Sequence, residues 1–204
     1  MAGYQIDWQQ VETPFGNDPA TAAPSGDLPA LIGRLEHEAE QWLGRRPPPQ
    51  VFDALAWYLP IHYWGDEYGI YITEQAIAFL AAGVWREMPA DRRHDPDVVY
   101  RTFRVALTLL YLHEAFHHRV ESFATRLEIV ERVRRYQAYD TSVYNKVAMT
   151  DGCLEEALAG AKFFQRSGEQ VYRRSVPYDL CAAALPFVRD FFAQLPPGYR
   201  RAVD

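Results

Sequence analysis

The chain has 204 residues and a formal net charge of −6, without the clustered basic excess that marks a nucleic-acid binder. Nearly half of its residues are apolar and about a quarter are charged, so a single globular domain with a real core is expected. The opening MAGYQIDWQQ lacks the basic start and apolar run of a secretory signal, and no stretch nears the roughly 20 apolar residues that span a bilayer. With two cysteines, Cys153 and Cys181, that form no close metal pair, the expectation is a cytoplasmic protein without membrane partners. A disulfide between the two is permitted but not required.

Residues 1–27, with Pro14, Pro19, Pro24, Gly16 and Gly26, read as a flexible arm that Tyr4, Trp8 and Phe15 can pin to the body. Residues 28–200 form the domain and 201–204 a tail. Leu28, Leu31, Ile32, Leu35, Ala39, Trp42 and Leu43 make one helical stripe over 28–43, stopped by Gly44 and Pro47-Pro48-Pro49. The aromatic segment 51–72 predicts a short lead-in helix and then a hairpin, with strands at 61–64 and 69–72 around a Gly-Asp-Glu-Tyr-Gly break. Thr73 caps a helix to about Glu87, with Ala76, Ile77, Leu80 and Val84 inward. Asp95-Pro96 opens a helix that stays apolar to about His118 and is therefore expected deep in the domain. A more polar helix over 120–135, a loop over 136–149, a helix from Thr150 or Asp151 to Ser167 stopped by Gly168, and a last helix over 178–194 follow. The fold class is mainly α with a small β-hairpin.

His113-Glu114-Ala115-Phe116-His117 is an HExxH sequence. Four residues of helix turn through about 400°, so both imidazoles lie on one face, a turn apart, and can grip one zinc ion. Glu114 then stands beside the metal, where its carboxylate can take a proton from the attacking water and pass it to a leaving amine. A random charged cluster this late in an apolar helix is costly unless its members pair or ligate.

A catalytic zinc site asks for a third protein ligand and an open position. Glu121 continues the spacing but lies roughly 12 Å along a straight helix from His113, out of reach of the same ion. The segment Asp151-Gly152-Cys153-Leu154-Glu155-Glu156-Ala157-Leu158-Ala159-Gly160 offers two adjacent acids followed by small residues that permit close helix approach. HExxH with such a downstream helix resembles the gluzincin, thermolysin-like branch of zinc peptidases. In that branch the ligand Glu is followed by small residues at the next and third positions, as Glu156 is by Ala157 and Ala159. The resemblance, over residues 113–159, implies a zincin-like domain in which His113, His117 and Glu156 hold zinc, with Glu155 as the alternative ligand and Glu114 catalytic. It also implies a metallopeptidase acting on a protein or peptide substrate. The hairpin before the active helix resembles the zincin sheet whose edge takes extended peptide, which points to residues 69–72. The chain lacks the metzincin extension, and it lacks the Asp or Asn that often follows the gluzincin Glu.

Tyr139, Tyr144 and His118 are candidates to stabilise the oxyanion of the tetrahedral intermediate. Two other readings stand beside this one. A metal-binding helical bundle could use Glu114-x-x-His117, although a di-iron site needs a second such pair, or it could use His62, His113 and His117. Cys153 with Glu and His also resembles a cysteine-dependent hydrolase type found beside bacterial ubiquitin-like conjugation genes, while the aromatic 57–71 segment suits a binding module. Nothing in the sequence sets an oligomeric state.

Overall fold

Helix α1, Leu28–Trp42, buries Leu35 and Ala39 and rests Leu28, Leu31 and Ile32 against the core, as its stripe predicts. The computed structural model describes residues 27–42, 55–167 and 178–203. Residues 1–26, the stop at Gly44 and Pro47–Pro49, and Gly168 lie outside the described residues.

The hairpin exists, but its first strand is not at 61–64. Strand β1 is Ala56–Leu59 and strand β2 is Gly69–Ile72, antiparallel with Ala56 opposite Ile72 and Leu59 opposite Gly69. Residues Ile61–Trp64 instead form a helical turn, α2, followed by a 3-10 turn over Gly65–Glu67. The cause lies 60 residues away. Glu121 accepts the Ile61 and His62 backbone N–H groups at 3.1 and 3.0 Å. A carboxylate at the first amides of a turn satisfies donors that a strand would have offered to a neighbour.

Helix α3, Glu74–Arg86, starts at Thr73, whose hydroxyl accepts from the Ala76 N–H at 3.1 Å. Its buried residues include Ala76, Leu80 and Val84, with Ile77 at the margin. Helix α4, Pro96–Glu131, is capped by Asp95, which accepts from the Asp97 N–H at 3.0 Å. It runs unbroken for 36 residues, about 54 Å, so the expected separate helix over 120–135 is its continuation. The polar turn of the sequence near Arg119 marks where α4 leaves the core rather than where it ends. Arg132, in the left-handed conformation, closes it with a bond to Glu128 O.

The expected loop over 136–149 is largely helical: α5 over Tyr136–Tyr139, a π turn over Asp140–Tyr144 and α6 over Asn145–Val147. Helix α7 covers Leu154–Ser167 and begins later than Thr150, because Thr150 O accepts the Cys153 N–H in a preceding turn. Helix α8 is Tyr178–Gln194, and a 3-10 turn over Tyr199–Val203 follows. Of the residues expected as a tail, 201–203 belong to that turn, where Ala202 is buried, and Asp204 lies outside the described residues. Arg200 and Arg201 tie the turn to Asp151.

The core joins α1, α3, α4 and α8 through Leu35, Leu80, Leu109, Leu110, Leu180, Phe191 and Phe192. Helix α4 also packs against α7 and the hairpin. No described helix is long and apolar enough to cross a membrane.

Candidate metal centre

Helix α4 leaves its apolar packing at Leu109 and Leu110, and the next turn presents His113 and Glu114, both buried. His117 follows one turn on. Its Nε2 lies 3.3 Å from His113 Nε2. Glu156, in the first turn of α7, brings Oε2 to 3.2 Å from His113 Nε2 and 3.6 Å from His117 Nε2. Donors held at about 2.0–2.1 Å in a tetrahedral shell stand about 3.3 Å from one another, so this triangle has the dimensions of a zinc face. Glu156 Oε2 is buried and takes no hydrogen bond. Among the described residues these three form the one group with the spacing of a metal site.

The electrostatics favour a cation at the same point. Burial opposes charge on His117, yet the Glu155 and Glu156 carboxylates and the charge of Glu114 hold it well above the ordinary histidine value. Burial likewise opposes charge on Glu156, and the two imidazoles hold it far below the usual carboxylate range.

Glu155 and Glu156 are neighbours in sequence but about 100° apart around α7. Glu156 faces the imidazole nitrogens. Glu155 faces the far side of His117: it accepts from Nδ1–H at 2.6 Å through Oε1 and from the Tyr139 hydroxyl at 2.5 Å through Oε2. A carboxylate can only accept, so His117 Nδ1 carries a proton, and Nε2 is the nitrogen turned to the triangle, the one that would ligate an ion. Tyr144 donates to Glu156 Oε1. Burial, the Glu156 charge and this bond push its hydroxyl pKa far up.

Tyr139 and Tyr144 therefore stand at the cluster, each with its hydroxyl proton on a carboxylate. His118 stands elsewhere, with Tyr58 Oη at 3.0 Å and Ser122 Oγ at 3.4 Å. His62 is engaged at both ring nitrogens, by Glu121 at 2.5 Å and Glu128 at 2.8 Å, so it does not join His113 and His117. Cys153 is buried, and burial pushes its thiol pKa up. The side chain of Cys181 lies outside the described residues.

Two features escaped the sequence reading. Tyr199 stacks on His113, with ring centroids 5.8 Å apart. Just before it, Gly198 has φ of 99°, and a Cβ there would lie 3.1 Å from Thr150 O and 3.3 Å from Cys153 Cβ. The second feature is the fixing of the hairpin onto α4 by Glu121 and Glu128. Glu121 takes the Tyr58 hydroxyl as well as α2, and Glu128 takes the Arg135 and Tyr136 N–H groups at 2.6 and 2.8 Å. The seven-residue spacing of these two acids, on the face that carries His117, was the available signal.

Searches of protein-family models, of curated proteins and of solved structures give no match to this chain.

Proposed function

We propose that the protein is a zinc-dependent metallopeptidase that hydrolyses a peptide or isopeptide bond. The observation that carries this reading is the convergence of His113 Nε2, His117 Nε2 and Glu156 Oε2 on one point, with Glu114 buried on the same turn and near enough for its charge to act on His117. Two imidazoles and a carboxylate suit zinc among the divalent ions. The bound ion supplies Lewis acidity, polarising the scissile carbonyl and drawing the pKa of water towards neutrality.

The chain's own residues supply the proton movements. Glu114 accepts a proton from the attacking water as the new C–O bond forms, then donates it to the amine nitrogen as the C–N bond breaks. The hydroxyls of Tyr139 and Tyr144 are given to carboxylates, so either could serve an oxyanion only by releasing its acid. Strand β2 has no second partner strand among the described residues, which supports its use as an edge for extended peptide. The small domain leaves room for few specificity elements, which favours processing of a particular protein over general digestion.

The test is metal content by elemental mass spectrometry for the wild-type chain and for His113→Ala. About one zinc per chain in the wild type, lost in the variant, is expected. A wild-type chain that takes up no zinc on reconstitution overturns the reading.

A further inference from the structure

The segment that returns from the end of α4 passes the cluster and touches both acids. Tyr139 donates to Glu155 and Tyr144 donates to Glu156. These tyrosines are five residues apart. On an α-helix five residues turn through about 500°, which would aim the second side chain about 140° away from the first. The chain here is a π turn over Asp140–Tyr144, and the Asn145 N–H reaches back five residues to Asp140 O. Bonds that run from i to i+5 bring residues five apart onto one side. The seat of the segment is set independently, by Glu128 at the start of α5 and by Asp140, which accepts from Tyr63 Oη at 2.8 Å and Asn145 Nδ2 at 3.1 Å.

We propose that the π turn is the orienting element of the site: Tyr139, through Glu155, fixes the ring and tautomer of His117, and Tyr144 occupies Glu156 Oε1 so that Oε2 alone faces the two imidazoles. Glu155 is thus a positioning residue and not a ligand. A carboxylate on the far nitrogen of a ligating imidazole raises its basicity and removes its freedom to rotate. A hydroxyl on one carboxylate oxygen holds the acid to single-oxygen ligation. The inference rests on His113, His117 and Glu156 being the metal ligands.

The experiment measures Zn2+ affinity by competition with a chromophoric chelator, and the visible absorption of the Co2+-loaded protein. It uses the full chain and the variants Tyr139→Phe, Glu155→Gln, Tyr139→Phe/Glu155→Gln, Tyr144→Phe, Glu156→Gln and, as control, the exposed Tyr71→Phe. Tyr139→Phe and Glu155→Gln are each expected to weaken zinc binding about 10- to 100-fold while keeping one site per chain. The double variant loses no more than the larger single loss, because both act through one chain of bonds. Tyr144→Phe releases Glu156 Oε1 and lowers the intensity of the cobalt bands by raising the coordination number, which Tyr139→Phe does not do.

These changes nearly conserve volume, and where Tyr139→Phe or Glu155→Gln fails to fold, the other of the two reads the same bond. Wild-type affinity and spectrum in all the variants overturn the proposal and leave the zinc site standing. Loss of the ion from Glu155→Gln with Glu156→Gln still loaded makes Glu155 the ligand, and overturns it too. A folded wild-type chain that takes up no zinc removes the zinc reading and the proposal together.

Discussion

Tyr199 lies against His113, ring centroids 5.8 Å apart and planes within 19° of parallel. The contact joins the last described turn of the chain to the middle of its longest helix. Tyr199 is buried, and Arg200 holds the turn through the Asp151 carboxylate, with Arg200 Nε at 2.8 Å from Oδ1. One face of the His113 imidazole is therefore covered by an aromatic ring, which limits how the imidazole can turn. Tyr199→Ala is expected to cost about 3 kcal/mol or more of stability and to weaken zinc binding, whereas Tyr199→Phe keeps the stack and the affinity. Chemical unfolding with and without zinc checks both. Equal zinc affinity in Tyr199→Ala would show that the ring packs but does not orient.

Glu114→Gln separates a peptidase from a protein that only binds metal. The amide keeps the volume of the acid and none of its capacity to carry a proton. The variant is expected to retain zinc while turnover falls by about 10²- to 10⁴-fold. A wild-type rate measured on the same substrate would remove Glu114 from the chemistry.

Much of this arrangement was legible in the sequence, for local reasons. The stripe of Leu28, Leu31, Ile32 and Leu35, the cap at Thr73 and the Asp95-Pro96 start each depend on neighbours within a turn, and each element forms where its signal lies. HExxH is likewise local, since helical spacing alone puts His113 and His117 on one face. The first strand, the parting of Glu155 from Glu156 and the π turn depend on distant partners instead. Ile61–Trp64 carries strand-like residues, but its first two amides, those of Ile61 and His62, belong to Glu121 across about 60 positions. Glu155 and Glu156 are the same residue type side by side. Only the direction in which α7 meets α4 gives one the imidazole nitrogens and the other the back of His117. The π turn escaped because its reason for existing, two tyrosines aimed at two acids, is visible only once the acids are in place.

Cys153 distinguishes water from sulfur as the nucleophile. The thiolate is the reactive form, and burial pushes this thiol away from it. Cys153→Ala is expected to keep most of the activity, with a stability loss of about 1 kcal/mol for the vacated volume. Thiol-reactive reagents should modify Cys153 slowly in the folded protein and rapidly in denaturant. Abolished turnover in a folded, zinc-loaded Cys153→Ala variant would favour the cysteine hydrolase reading instead.

The His62 bridge makes the attachment of the hairpin to α4 depend on pH. Burial works against a charged His62, but Glu128 and Glu121 together raise its pKa above the ordinary 6.5. Glu121 is lowered despite its burial, by the Tyr58 and His62 side chains and two backbone amides, and Glu128 is lowered to about 2, chiefly by His62. A raised histidine contributes stability that is complete below its unfolded value and fades as pH rises through its folded value. A lowered acid contributes stability that is complete above its unfolded value, here 4.5, and fades as pH falls. Both contributions hold together between about pH 4.5 and 6.5. His62→Gln should therefore lose the most stability relative to wild type in that window and progressively less above pH 7. Urea midpoints collected from pH 4 to 9 for the two proteins give the comparison. Parallel curves would mean that His62 stays neutral between its two acids and that the hairpin is held by Tyr58 and the Glu121 amide bonds alone.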